Sequence, residues 1–99
     1  MTQTITIPEL DGEGAIPVYV ARPSGTPQAA IIVIPEIFGV NPGIRQKCDS
    51  WAAKGYLAVA QYIFWRFAPG VELDADDADE LQEAFGYFAQ FDADLGVKD

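Results

Sequence analysis

The sequence predicts an α/β fold, in which a mixed sheet of about four strands, a hairpin plus a βαβ unit, packs with two main helices. Extended patterns flank turn residues in the first 22 positions, two short apolar runs flank an amphipathic segment, and the last third has apolar residues at helical spacing. The chain has 99 residues, of which 49% are hydrophobic. This length supports one modest core. We therefore expect residues 1–99 to form a single domain.

The first predicted unit is a β-hairpin. Residues 4–7 alternate polar and apolar side chains, residues 11–14 read Asp-Gly-Glu-Gly, and residues 16–22 resume an extended pattern. Pro17 lies within the second strand and has no N–H to donate. We expect its nitrogen to face an edge of the sheet or a bulge.

The next unit is a βαβ crossover. The continuous apolar run Ala29–Ile34 is typical of a strand buried on both faces. From Asn41 the period becomes helical, and Gly55 is placed to end the helix. The predicted buried face of this helix consists of Ile44, Cys48, Trp51 and Ala52. A second apolar run at residues 56–60 completes strand, helix and strand within about 30 residues, which predicts parallel strands.

The last third is predicted to hold a loop, a helix and a tail. The loop spans residues 61–71 and ends near the turn signal Pro69-Gly70. A helix is expected from about Asp76 to Phe91, with aspartates in its first turn complementing the helix dipole. We expect its aromatic face to be core. The residues of that face are Leu81, Ala84, Phe85, Phe88 and Phe91. The tail 94–99 is predicted to be solvated.

Charge and composition exclude several classes of function. The chain has 6 basic and 15 acidic residues and a net charge of −9, so we expect no nucleic-acid partner and no anionic membrane partner. No apolar run is long enough to span a bilayer and no secretory signal begins the chain, which favours a cytoplasmic location. With one cysteine and no histidine, we expect no internal disulfide, no metal site and no cofactor. The acidic run 72–83 lacks calcium-loop spacing.

The sequence resembles the dienelactone hydrolases, the carboxymethylenebutenolidase family of the α/β-hydrolase superfamily. Pro-Glu-Ile-Phe-Gly-Val-Asn at residues 35–41 carries the match most specifically, and residues 44–45, 51–60, 64–66, 68–71, 91–92 and 96–99 extend it. The resemblance covers nearly the whole chain but only about the first two fifths of a family member. It implies a truncated α/β-hydrolase-like sheet. It also implies that Glu36 approaches the nucleophile and that the Ile37 N–H serves an oxyanion hole.

The chain also departs from the family pattern. The family nucleophile lies in a Gly-x-Cys-x-Gly elbow after the fifth strand, with its aspartate and histidine further on, and all three positions lie beyond Asp99. Glu-Leu-Gln-Glu occupies residues 80–83, where well-known members carry an arginine for the substrate carboxylate. Gln61-Tyr62 replaces the usual Pro-Asp. The resemblance therefore names no substrate for this chain.

Three side chains have competing interpretations. Glu36 is either a catalytic-loop residue or a solvated carboxylate, and the latter is favoured for the isolated chain. Cys48 is either a nucleophile or a buried structural thiol, and its place on the apolar helix face favours burial. Arg66 either binds an anionic ligand or covers aromatic surface while pairing with an acid, and the second is favoured.

Two hypotheses of function follow. The first is a non-catalytic, self-assembling remnant that forms a homodimer. In the full fold the strand order begins 1-2-4-3-5, so truncation leaves Ala29–Ile34 at a sheet edge, and an apolar edge pairs readily with a second copy. The alternative is part of a hydrolase acting on small lactones or esters once the missing carboxyl-terminal segment is supplied.

Overall fold

The chain folds as a four-stranded mixed sheet with three helices. A computed structural model describes residues 2–9, 14–68 and 70–99. The elements are β1 Thr2–Pro8, β2 Ala15–Ala21, β3 Ala30–Ile32, α1 Pro42–Ala53, β4 Leu57–Gln61, α2 Ala78–Gln90 and α3 Ala93–Lys98. The strand order is β1-β2-β4-β3, and only the β3–β4 pair is parallel among these strands. The predicted α/β class is confirmed, with one helix more than expected.

The amino-terminal hairpin is regular. β1 and β2 pair antiparallel from Thr2 opposite Ala21 to Pro8 opposite Ala15, and the Glu9 N–H donates to the Gly14 carbonyl at 3.0 Å. The predicted turn residues 11–13 lie outside the described residues. Pro17 precedes the β2–β4 ladder, which begins at Val18, so its missing N–H interrupts no pairing there.

The βαβ unit is confirmed with its strands parallel. β3 pairs with β4 from Ala30 opposite Leu57 to Ile32 opposite Val59. Asn41 caps α1 by accepting a hydrogen bond from the Ile44 N–H at 3.1 Å. Gly55 follows the helix with a φ of +97°, a conformation that glycine adopts without strain.

The core has two layers, one on each face of the sheet. On one face, Ile44 and Cys48 of α1 pack with Val40 against side chains of β2 and β4. On the other, buried residues of β2 pack with Trp65. Trp51 does not join the helix face as predicted. It is 37% exposed, packs edge-on against the Tyr56 ring at 5.6 Å and lies under the Lys54 ammonium.

The prediction that residues 29–34 are buried on both faces is wrong. Only residues 30–32 form the strand, and Ile32 and Ile34 are 69% and 77% exposed. β3 is the last strand in the sheet order, and among the described strands and helices it packs mainly against β4. Val33, which points the other way, packs against the α1 layer.

The predicted aromatic face of α2 is only partly core. The helix itself is confirmed, and Asp77 caps it by accepting hydrogen bonds from the N–H groups of the next turn. Phe85 and Phe88, however, are 51% and 56% exposed. Ala84 of the predicted face is buried, and the Phe91 ring packs edge-on against the Phe64 ring at 5.7 Å. Tyr87, which is not part of the predicted face, contacts the Phe64 and Phe67 rings.

The tail forms a helix that the sequence did not predict, although its residues stay exposed or half-buried, in line with a solvated segment. Residues 93–98 form α3, with Asp92 as its N-cap. The Asp99 side chain is only 3% exposed because Arg66 and Trp65 donate hydrogen bonds to its carboxylate. None of the described helices is both long and apolar enough to cross a membrane.

Candidate active-site cleft

The loop that leaves β3 carries Glu36 and Ile37. Pro35 is buried, Ile37 is half-buried and Glu36 is exposed. The Gly39 N–H donates to the Glu36 carbonyl at 3.1 Å, which closes a tight turn before α1. The turn fixes the backbone around both residues while leaving the Glu36 carboxylate at the surface.

Gly39 holds this turn against residues 71–73. Its φ is +79°, and a Cβ at this position would collide with the Val71 carbonyl oxygen. The Leu73 N–H donates to the Phe38 carbonyl at 2.8 Å. Sequence reasoning did not single out Gly39, although a glycine inside an apolar loop signals either a positive φ or a close approach of backbone.

Arg45 secures the other end of the loop. Its guanidinium donates to the Val40 carbonyl at 2.8 Å and to a Glu72 carboxylate oxygen at 3.0 Å. The hydrogen bond from Arg45 lowers the pKa of Glu72. The loop is therefore tied to α1 and to the segment before α2 at the same time.

A cleft of about 700 Å³ opens beside this loop, at the carboxyl end of β3. Glu36 and Ile37, the two neighbouring residues that the sequence singled out, both line it. Its other walls are largely apolar and come from β3, α2 and α3, including Ile34, Phe88 and Val97. The contribution of α3 was missed because the tail was predicted to be solvated.

Two polar groups of the residues that line the cleft, the Glu36 carboxylate and the Ile37 N–H, are available to a ligand. Within the described residues, no protein group accepts a hydrogen bond from the Ile37 N–H, and Glu36 forms no ion pair or side-chain hydrogen bond. An unpaired carboxylate and an unpaired N–H donor therefore belong to residues that line a largely apolar cleft, whose polar lining also includes Gln61, Lys98 and Asp99.

Arg66 pairs with acidic side chains and covers an aromatic ring, as the favoured interpretation predicted. Its guanidinium donates to both Asp99 oxygens at 2.6 and 2.8 Å and to Glu9 at 3.3 Å, and it lies 4.6 Å from the centre of the Trp65 ring. The hydrogen bond from Arg66 lowers the pKa of Asp99. We call Arg66, Asp99, Glu9 and Trp65 the clasp.

Cys48 is buried, as predicted, and does not line the cleft. Burial raises the pKa of its thiol, which disfavours the nucleophilic thiolate. Among the described residues, no three or more His, Cys, Asp or Glu side chains are placed to hold a metal ion.

The family model described as "Dienelactone hydrolase family" matches residues 16–98 of this chain. The chain belongs to the dienelactone hydrolase family. A protein of Azospirillum brasilense named "Putative carboxymethylenebutenolidase" is 43% identical over 91 residues, which cover 91% of this chain and 39% of that protein. A "Carboxymethylenebutenolidase" of Pseudomonas putida is 35% identical over 101 residues, which cover 100% of this chain and 42% of that protein.

The structural comparison agrees with this membership of the dienelactone hydrolase family. A crystal structure from Klebsiella pneumoniae subsp. pneumoniae MGH 78578, described as a "Putative Dienelactone Hydrolase", matches with a TM-score of 0.78 and 30% identity. The match covers 99% of this chain and 39% of that one. The resemblance and the fold predicted from it are confirmed, and the chain spans about two fifths of the length of these relatives.

Proposed function

We propose that this chain supplies one half of a hydrolase site for small lactones or esters. The observation that carries the proposal is that Glu36 and Ile37 line one cleft at the carboxyl end of a parallel strand, and that among the described residues the Ile37 N–H has no hydrogen-bond acceptor. Open α/β sheets bind their ligands at that end of the strands. Membership of the dienelactone hydrolase family supports the same reaction class.

Each of the two groups has a distinct task in this proposal. The Ile37 N–H donates to the oxygen that becomes negative when a nucleophile adds to the ester carbonyl. The Glu36 carboxylate lies beside the nucleophile and accepts or returns its proton. Ile34, Phe88 and Val97 provide an apolar wall for the substrate ring.

The nucleophile and its partners come from a separate segment. Attack on an ester requires a nucleophile and a base that is oriented by a third group. These 99 residues contain no histidine, and their one thiol, Cys48, is buried away from the cleft. We therefore expect no turnover by the isolated chain.

A chimera tests the proposal. Residues 1–99 are joined to the part of the Pseudomonas putida relative that lies beyond the matched region, and hydrolysis of p-nitrophenyl acetate and of a small lactone is measured. We expect turnover by the chimera and none by the 99-residue chain.

The Glu36→Gln variant of the chimera should lose at least about tenfold in kcat/KM, because it removes a proton-transfer group. Glu83→Gln is the matched control, since Glu83 lies on the exposed surface of α2, where its carboxylate accepts a hydrogen bond from the Tyr87 hydroxyl. A folded chimera without turnover, or equal losses in the two variants, would contradict the proposal.

A further inference from the structure

Arg45 does not line the cleft, yet it holds the loop that carries the Ile37 N–H. We propose that Arg45 is a positioning residue of the hydrolase site, whose guanidinium keeps this N–H directed at the oxygen that becomes negative. It acts through two partners, the Val40 carbonyl and the Glu72 carboxylate. This role rests on the proposed function, which assigns the Ile37 N–H to that oxygen. Arg45 itself is assigned no contact with the substrate.

Backbone hydrogen bonds connect the turn around Ile37 to α1, the helix that carries Arg45. The Gly39 N–H donates to the Glu36 carbonyl at 3.1 Å and closes the turn that contains Ile37. The Asn41 N–H donates to the Gly39 carbonyl at 3.0 Å, and the Arg45 N–H donates to the Asn41 carbonyl at 3.0 Å. Because each of these bonds shares a residue with the next, a displacement at the end of the loop changes the geometry of the turn.

The Arg45 guanidinium joins this loop to the segment that precedes α2. The backbones of Gly39 and Glu72 form an antiparallel bridge. Beside that bridge, Arg45 donates from Nη1 to the Val40 carbonyl at 2.8 Å and from Nη2 to the Glu72 carboxylate at 3.0 Å. One planar group therefore bonds both segments next to the point where they pair. The loop cannot slide along the segment without breaking at least one of these charge-assisted hydrogen bonds.

The exposure of these groups separates a local role from a role in global stability. The Arg45 and Glu72 side chains are 30% and 46% exposed, and ion pairs at such positions contribute little to the free energy of unfolding. Val40, by contrast, is fully buried, so its carbonyl loses a charged donor that water replaces poorly when Arg45 is removed. We therefore expect the loss of Arg45 to shift the loop rather than to unfold the sheet.

Kinetics of the chimera that contains residues 1–99 test this role. Arg45→Gln should lower kcat for p-nitrophenyl acetate about tenfold per folded molecule, because a misplaced N–H stabilises the oxyanion less. KM should stay within about twofold, since Arg45 does not contact the bound substrate. Arg45→Lys keeps the charge but lacks the planar fork, so it should recover only part of the loss. Lys47→Gln, which removes a cation from an exposed position on α1, is the matched control.

Hydrogen exchange of backbone amides in the 99-residue chain, measured by NMR, tests the hold of Arg45 on the loop without any turnover. In Arg45→Gln the Gly39 N–H should exchange at least about tenfold faster, whereas the amides of β4 should keep their rates. Lys47→Gln should change neither set of amides.

The outcomes distinguish a failure of this role from a failure of the proposed function. An inactive wild-type chimera contradicts the proposed function and, with it, the positioning role of Arg45. In an active chimera, an unchanged kcat in Arg45→Gln, a rise in KM alone or an equal loss in Lys47→Gln overturns the role of Arg45 and leaves the proposed function intact. Unchanged exchange at Gly39 overturns the role in either case. Should Arg45→Gln fail to fold by circular dichroism, Arg45→Lys replaces it in both measurements.

Discussion

Replacing Arg66 with glutamine should destabilise the fold substantially, although Arg66 is partly exposed. Its guanidinium joins the end of α3, through Asp99, to the end of β1, through Glu9, and covers the Trp65 ring. The Asp99 carboxylate is 3% exposed and keeps only the Trp65 N–H as a partner after the substitution. A nearly buried carboxylate would then lack its cation.

The expected loss in the free energy of unfolding follows from this geometry. Hydrogen bonds to charged groups contribute about 1.5–3 kcal/mol, and breaking a fully buried pair costs about 3–5 kcal/mol. Because the Arg66 side chain is 30% exposed and water partly replaces it, we expect a loss of about 2 kcal/mol. For a domain of this size such a loss lowers Tm by about 8–16 °C.

The effect should depend on pH in a defined direction. Arg66 lowers the pKa of Asp99. The clasp therefore contributes its full stabilisation of the fold at pH values above the pKa of Asp99 in the unfolded chain, which is about 3.9. The contribution is lost as the pH falls through the lower, folded-state pKa. The stability difference between wild type and Arg66→Gln should therefore be largest at pH 7 and shrink below about pH 4.

Thermal unfolding at pH 7 gives the Tm, and urea unfolding at pH 7 and at pH 3 gives the free energy of unfolding, both followed by circular dichroism. Lys47→Gln is the control, since it removes the same charge from an exposed position on α1. A Tm for Arg66→Gln within 3 °C of this control, or a difference that grows towards pH 3, would refute the reasoning.

Two further substitutions or treatments test the loop and the core. Gly39→Ala should lower the free energy of unfolding by about 2–4 kcal/mol, because Gly39 has a left-handed backbone and an added Cβ would collide with Val71. Gly25→Ala is the control for thermal unfolding and should change it little, since the space around Gly25 is open. Cys48, with its buried thiol and raised pKa, should react with a disulfide reagent at pH 8 only at the rate of unfolding, and a rapid reaction in native buffer would contradict its burial.

Local patterns predicted the elements of this fold well. The alternation in residues 4–7 and the helical period after Asn41 depend on neighbours in sequence, so the hairpin and the βαβ unit could be recognised without the structure. The Asn41 cap and Gly55 are likewise local signals, and α1 begins and ends next to them. The placement of Glu36 and Ile37 came from the family resemblance.

Burial was harder to predict than secondary structure. Phe85 and Phe88 have the period of a buried helix face, but which face is covered depends on elements that pack against it from elsewhere. The prediction that the apolar run around Ile32 is buried on both faces was wrong for the same reason. Asp99 was missed because its partner Arg66 is 33 residues away, and no local pattern reports such a contact.

Because β4 lies between two other strands, local unfolding should begin elsewhere in the molecule. β4 is hydrogen-bonded on both edges, by β2 and β3, and its Ala58 and Ala60 are fully buried. By contrast, α2 buries only Ala84 fully, and no residue of α3 is fully buried. Amide protons of β4 should therefore exchange with solvent last, and those of α2 and α3 early. Because these two helices form one wall of the cleft, the cleft can widen by local opening while the sheet that positions Glu36 stays intact.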